Sequence, residues 1–255
     1  MTVHYEKDGP VTVVTIDRPA VANAIDAPTA AELADAFRRF DADGSASVAV
    51  LSGAHGTFCA GADLKAMRSG EPERVTRVAP DGDGPVGPTR MLLSKPVIAA
   101  VEGHAVAGGL ELAAWCDLRV ASEQAVFGVY CRRWGIPLMD GGTIRLARLV
   151  GHSHALDLIL TGRGVSGEEA RRIGLANRLV PAGQALTGAL ALAREIAGKP
   201  QAALRSDRLS SYEQWTLALD DALALEYRHG MATLKTGEML GGLENYASGG
   251  WREAQ

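Results

Sequence analysis

The chain has 255 residues, 47% apolar and 22% charged, with a net charge of −4, enough apolar material for a globular core. The mild negative charge, with no long basic run, excludes nucleic acid or an anionic membrane as a bulk partner. No apolar run approaches the ~20 residues of a membrane span, and the opening MTVHYEKDGPVTVVTIDRP has no basic segment followed by an apolar one, so no export signal is expected.

The β-branched run Val11 to Ile16 predicts a strand that stops at the turn Asp17-Arg18-Pro19. Pro28 then stands near the start of a helix through Glu32, Leu33, Ala36, Phe37 and Phe40. After a polar turn over 41–46, Val48 to Leu51 reads as the next strand, and a helix opens near Asp63, a plausible N-cap. Residues 69–89 are dense in Gly and Pro and predict a mobile surface loop, either a lid or a plain insertion, with a short helical piece over 73–78. Val97 to Val101 is a strand that crosses small residues to a helix beginning at Leu110. Short strands follow over 117–121 and 125–129, then a turn at Gly135-Ile136-Pro137 and helices over 142–150 and 155–161. Ser166 to Glu169 has the capping-box form and opens another helix. From Gln184 onward only helices are expected: to Ala197, after Pro200, around 215–234 and near 238–246. The plan is an α/β core over 1–195 and a helical region over 196–255, which is too thin to bury a core alone and must pack on its own body or a neighbour.

Two stretches share one design. In 97–116 and in 48–67 an apolar strand runs through small residues into a helix start. Each such turn gathers free backbone N–H groups at the positive end of a helix dipole, and Gly108 and Gly109 leave that backbone uncovered. Together the turns could offer two donors to one negative oxygen; packing of helix on strand is the plainer alternative. No G-x-G-x-x-G, G-x-x-x-x-G-K-[ST] or G-x-S-x-G occurs, so dinucleotide, nucleoside-triphosphate and serine-hydrolase readings lose support. The cysteines Cys59, Cys116 and Cys131 are odd in number and form no C-x-x-C pair, which suits free thiols in a reducing cytoplasm. The clusters a metal site needs are missing, so no metal is expected.

The ordered set of motifs resembles the crotonase family, the enoyl-CoA hydratase/isomerase superfamily. It comprises Asp17-Arg18-Pro19 with Asn23-Ala24, Ser52-Gly53, Phe58 to Lys65, Ala107 to Ala113, and Cys116-Asp117. Further on come Phe127-Gly128, Gly141-Gly142-Thr143 with Arg145-Leu146, and Leu160-Thr161-Gly162. The likeness implies a spiral of repeated ββα units with a C-terminal helical region that builds homotrimers, or hexamers as dimers of trimers. It implies an acyl-CoA thioester as substrate, with coenzyme A entering only as part of that substrate and no permanent cofactor. By motif position the thioester oxygen would sit between the backbone amides of Ala62 and Gly108. Losing one donor of this kind typically costs ~10²–10³ in rate.

Glu111 holds the place of the first of the two glutamates that the family's hydratases use; its plainer role is to complement the helix dipole. The second glutamate's place, position 131, holds Cys131, a poor stand-in for a carboxyl and more naturally a packing residue. Asp140, directly before Gly141-Gly142-Thr143, stands where some relatives carry an active-site aspartate. It is expected either as Glu111's acid/base partner or as an N-cap. If the two acids face one pocket, burial and repulsion would separate their pKa values. The resemblance assigns the coenzyme A end to Arg18, Ala20, Val21, Ala22, Ala60, Asp63, Leu64 and Lys65, and the acyl pocket to Met67, Tyr130, Cys131 and Trp134. The expected activity is addition of water to an enoyl-CoA, or a shift of its double bond, in the cytoplasm. The alternatives are an acyl-CoA binder without turnover and another crotonase-scaffold reaction led by Asp140.

Overall fold

The chain builds one unit and repeats it. In the computed structural model, which describes residues 1–249, β1 (Val3–Asp8) pairs antiparallel with β2 (Val11–Ile16). After α1 (Ala27–Ala42) the chain lays β3 (Val48–Gly53) parallel to β2, and α2 (Leu64–Ser69) follows. The third circuit is β4 (Val97–Val101), β5 (His104–Val106) and α3 (Gly108–Trp115). The fourth is β6 (Leu118–Ser122), β7 (Val126–Gly128), α4 (Gly142–Val150) and α5 (His152–Thr161). It continues into β8 (Gly164–Ser166), α6 (Gly167–Arg172) and β9 (Arg178–Val180). Four helices finish the described chain: α7 (Ala185–Ala197), α8 (Gln201–Glu213), α9 (Leu219–Leu234) and α10 (Glu238–Ala247).

The large sheet runs β1-β2-β3-β4-β6-β9, parallel except at β1, and the small one runs β5-β7-β8. Single bridges, Cys59 with Ala105 and Ala62 with Ile25, continue the small layer toward the N-terminus. Each circuit therefore adds a strand to the large sheet and a stretch to the second layer before its helix. This is the spiral of ββα units that the resemblance implies.

Both faces of the large sheet are covered, which is why β3 and β4 read as unbroken apolar runs. Val48, Val50, Ile98 and Ala100 pack with Ala189 and Leu192 of α7, while Ala49, Leu51, Ala99 and Val101 join Phe37 and Phe40 of α1.

Several elements differ from expectation. Four strands escape the sequence pattern. β1 sits at the sheet edge with mostly exposed polar residues, and β5, β8 and β9 are too short to carry a period. α3 starts at Gly108, two residues before Leu110. Residues 73–78 form a turn, a bend and irregular chain, not a helix. The 69–89 segment is exposed only in part: 84–89 is buried, because it packs on the acid described below. Of the region expected to be helical over 196–255, residues 250–255 lie outside the described residues.

Candidate active site

The starts of α2 and α3 occupy equivalent places in successive circuits, and the spiral sets them side by side. Gly61, at φ +94°, is the point of contact: a Cβ there would lie 2.8 Å from the Gly108 amide nitrogen. A Cβ on Gly108 would in turn lie 3.6 Å from the Ala62 nitrogen. Ile25 N–H donates to the Gly61 carbonyl and Asp63 N–H donates to the Ile25 carbonyl. The alternation of an extended chain then turns the Ala62 amide away from Ile25. Gly108 is the first residue of α3, so its amide has no partner within the helix. Ala107 before it takes φ 54°, ψ −124°, a conformation a non-glycine residue adopts only when its surroundings impose it. Among the described residues neither amide has an acceptor. Gly109 allows the approach from the other side, since its Cβ would fall 2.1 Å from the Cys59 carbonyl oxygen.

Glu111, in the first turn of α3, is 3% exposed and Asp140 is 4% exposed. Glu111 Oε1 accepts the amides of Asp140 (2.9 Å) and Gly142 (2.8 Å). A side chain at Gly142 would collide with Glu111, its Cβ falling 2.8 Å from Cγ. Asp140 does not cap α4, whose N-cap is Gly141. Instead its Oδ1 accepts the Thr89 hydroxyl and the Val86 amide, the latter at 3.1 Å. Each acid thus has one oxygen fixed by two donors and the other left over. Burial pushes the Glu111 carboxyl up to about 7; the Gly142 amide opposes the rise and the charge of Asp140 adds to it. Burial raises Asp140 as well, against the Thr89 hydroxyl and the Val86 amide. The Cys131 thiol is raised by burial and by Glu111.

A cavity of about 210 Å³ brings the groups together. Ala60, Ala62, Leu64, Met67, Gly108, Glu111, Tyr130, Cys131, Trp134 and Asp140 all line it. Trp134 is 67% exposed and forms part of the rim, while Cys131 is 5% exposed and fills the wall.

The remaining residues assigned to the coenzyme end lie outside this cavity. Ala20, Val21 and Ala22 form the turn beside Ala60, whose amide donates to the Ala22 carbonyl. Arg18 is engaged with protein: Nη2 lies 2.6 Å from Asp26 and 3.2 Å from Asp63, and Arg74 reaches the same two carboxylates. Asp63 is the N-cap of α2, accepting from the Lys65 and Ala66 amides. Of the charged residues in that set, Lys65 alone keeps an exposed side chain without a partner among the described residues. Val86, Thr89 and Arg145 were not among the expected site residues. The first two belong to a stretch that reads as a loose loop, although Gly84 beside them admits no side chain: its Cβ would lie 2.0 Å from Thr89 Oγ1 and 2.5 Å from Asp140 Oδ1.

A family model described as enoyl-CoA hydratase/isomerase matches residues 6–250. Enoyl-CoA hydratase EchA19 of Mycobacterium tuberculosis is 41% identical over 214 residues, covering 80% of this chain and 79% of that protein. Carnitinyl-CoA dehydratase of Proteus mirabilis is 40% identical over 202 residues, covering 77% and 74%. Among solved structures, enoyl-CoA hydratase EchA1 from Mycobacterium marinum has a TM-score of 0.90 at 36% identity, covering 97% of this chain and 96% of that one.

Proposed function

The chain belongs to the enoyl-CoA hydratase/isomerase family, and from that premise we propose that it adds water to, or shifts the double bond of, an enoyl-CoA, with Glu111 and Asp140 as its acid/base pair. The observation that carries the reading is the abutment of two acceptor-less amides, Ala62 and Gly108, at a cavity that also holds two buried carboxyls. The amides would donate to the thioester oxygen and stabilise the enolate that forms as the α-carbon gains or loses a proton. In hydration, Glu111 Oε2 takes a proton from the water that adds to the β-carbon, and Asp140 Oδ2 gives one to the α-carbon. Proton exchange with solvent then resets the pair. In isomerisation, one carboxyl removes the γ-proton and the other protonates the α-carbon. A carboxyl raised toward 7 is suited to either role near neutral pH.

At the coenzyme end, Lys65 supplies a positive charge for phosphate, while Arg18 and Asp63 hold the turns that frame it. Ala20, Val21, Ala22, Ala60 and Leu64 contribute backbone and surface there; Met67, Tyr130, Cys131 and Trp134 contact the acyl group. Residues 1–195 carry this site. Within the region 196–255, helices α8, α9 and α10 form a homotrimer contact, or that of a dimer of trimers, a role that suits the exposed Leu219, Leu223 and Tyr227 of α9. No helix among the described residues is long and apolar enough to cross a membrane. Its three free, buried thiols suit a reducing compartment such as the cytoplasm.

Cys131 in place of a second glutamate favours one other reading, an acyl-CoA binder without turnover. The test is a panel of enoyl-CoAs, following loss of conjugation and isotope exchange at the α-carbon. Turnover lost in both Glu111→Gln and Asp140→Asn supports the pair. Binding without exchange in the parent protein supports the binder. Turnover that survives Glu111→Gln but not Asp140→Asn gives Asp140 the lead and points to a different reaction on this scaffold.

A further inference from the structure

Arg145, on α4, is a largely buried guanidinium that faces no carboxylate at ion-pair distance among the described residues. Its donors go to main chain: Nη1 to the Asp140 carbonyl at 2.7 Å and Nη2 to the Thr89 carbonyl at 2.6 Å. Burial works against its charge, so the site holds a cation where a neutral residue would be cheaper to bury. Room for it is made by Gly141, at φ +88°, where a Cβ would lie 2.3 Å from Arg145 Nη1.

The two carbonyls it grips belong to the residues whose side chains bond to each other. Thr89 Oγ1 donates to Asp140 Oδ1, and Val86, three residues before Thr89, donates its amide to the same oxygen. Without Arg145, segment 84–89 and the Asp140 turn would meet chiefly through that one carboxylate oxygen. With it, the main chain is fixed at both ends of the Thr89–Asp140 bond. The Thr89 hydroxyl and Val86 amide oppose rotation of the Asp140 carboxyl, and the clamp keeps those donors in place so that the carboxyl does not ride outward with segment 84–89.

We infer that Arg145 is a positioning residue for Asp140: by clamping the Asp140 and Thr89 carbonyls in one guanidinium fork it keeps Oδ1 saturated and Oδ2 presented to the cavity. The inference rests on Asp140 acting in proton transfer, as proposed above. A fork suits this task because its donors lie in one rigid plane, whereas a lysine ammonium, although it can donate to two carbonyls as Lys95 does to those of Phe40 and Asp43, sits on a flexible stem that does not set the angle between them.

The test is a double-mutant cycle on the full-length protein, with an enoyl-CoA as probe, reading kcat, KM and α-proton exchange. Arg145→Gln is expected to lower kcat by ~10- to 100-fold, the scale of a misplacement of about an ångström, with KM unchanged. It is also expected to move the Asp140 limb of the pH profile upward, since of the two cations near that carboxyl, Arg90 and Arg145, only Arg90 would remain. Arg145→Lys is expected to fall between the two, and it carries the test if Arg145→Gln does not fold. In an Asp140→Asn background, Arg145→Gln is expected to cost nothing further, because its effect passes through a group already removed. An equal fold-loss in both backgrounds, with Asp140→Asn itself impaired, would overturn the positioning role and leave the acid assignment standing. Full turnover in Asp140→Asn would overturn the acid assignment and this inference with it.

Discussion

Replacing Glu111 by Gln keeps the shape of the side chain and removes its charge. The carboxyl is 3% exposed and its pKa stands at about 7 against an ordinary 4.5. Because the folded-state value is the higher one, the folded chain binds more protons than the unfolded chain between pH 4.5 and 7. Stability therefore falls as pH rises through that window and stays low above it. At ~1.4 kcal/mol per unit the cost is about 3 kcal/mol above pH 7. A glutamine carbonyl can still accept the Asp140 and Gly142 amides that Oε1 accepts now, so the substitution removes the cost without orphaning a donor.

The expected outcome is a variant that is more stable and less active. At pH 8, urea unfolding at fixed protein concentration should place Glu111→Gln up to about 3 kcal/mol above the parent, and the gap should close toward pH 4.5. Enoyl-CoA turnover should fall by ~10²-fold or more, as for other lost acid/base groups. In the parent, a Glu111 that acts as base is active when ionised, so its limb of the kcat/KM profile, which reports the free enzyme, should rise through about pH 7. A stability gap that ignores pH, or a variant less stable than the parent at pH 8, would refute the account of Glu111 as an acid held against its charge.

Other substitutions probe the rest of the site. Gly61→Ala sets a Cβ 2.8 Å from the Gly108 nitrogen at φ +94°, so kcat should fall by ~10²-fold, the scale of a lost oxyanion donor, with a smaller change in KM. Cys131→Ser should leave turnover within ~3-fold of the parent, because a thiol raised by burial contributes no acid or base near neutral pH. Arg18→Met strips Asp26 and Asp63 of a buried partner and should cost about 3 kcal/mol in thermal or urea melts. Leu223→Asp, on the exposed apolar side of α9, should lower the mass found by light scattering if that side is the contact between copies.

Much of this architecture was legible because it is written in long periods and unbroken runs. β3, β4 and α1 carry continuous or helical apolar patterns over enough residues to be read directly. The helix starts at Asp63 and, within two residues, at Leu110 were visible as small residues between a strand and a helix. What escaped depends on contacts between distant segments. β5 has three residues and is a strand only because β7 lies beside it. Segment 84–89 looks like linker because its Gly and Pro content matches a mobile loop, yet Gly84 and Gly87 are there to let the backbone close on Asp140 and α1. Proximity of Gly84 to an aspartate 56 positions later has no signature in one sequence.

The acids illustrate the same division on a finer scale. The two acceptor-less amides come from the repeat itself: adjacent circuits that end in helix starts bring the Ala62 amide, just ahead of the α2 cap, beside the first amide of α3, provided the residue between them lacks a Cβ, as Gly61 does. The carboxyls do not come from the repeat. Glu111 belongs to the third circuit and Asp140 to the fourth, and they are coupled because Glu111 accepts the Asp140 amide itself. Position 131 can therefore hold a thiol without emptying the cavity of a second acid, since Asp140 faces the same space from another turn. An acid working from 140 instead of 131, as we propose, carries a structural requirement, however. Asp140 precedes a two-glycine turn and would be free to swing unless something outside α3 held it, and the donors that hold it come from Thr89, Val86 and Arg145. The buried 84–89 segment and the half-buried guanidinium are what would make an aspartate at that turn the defined proton carrier we propose.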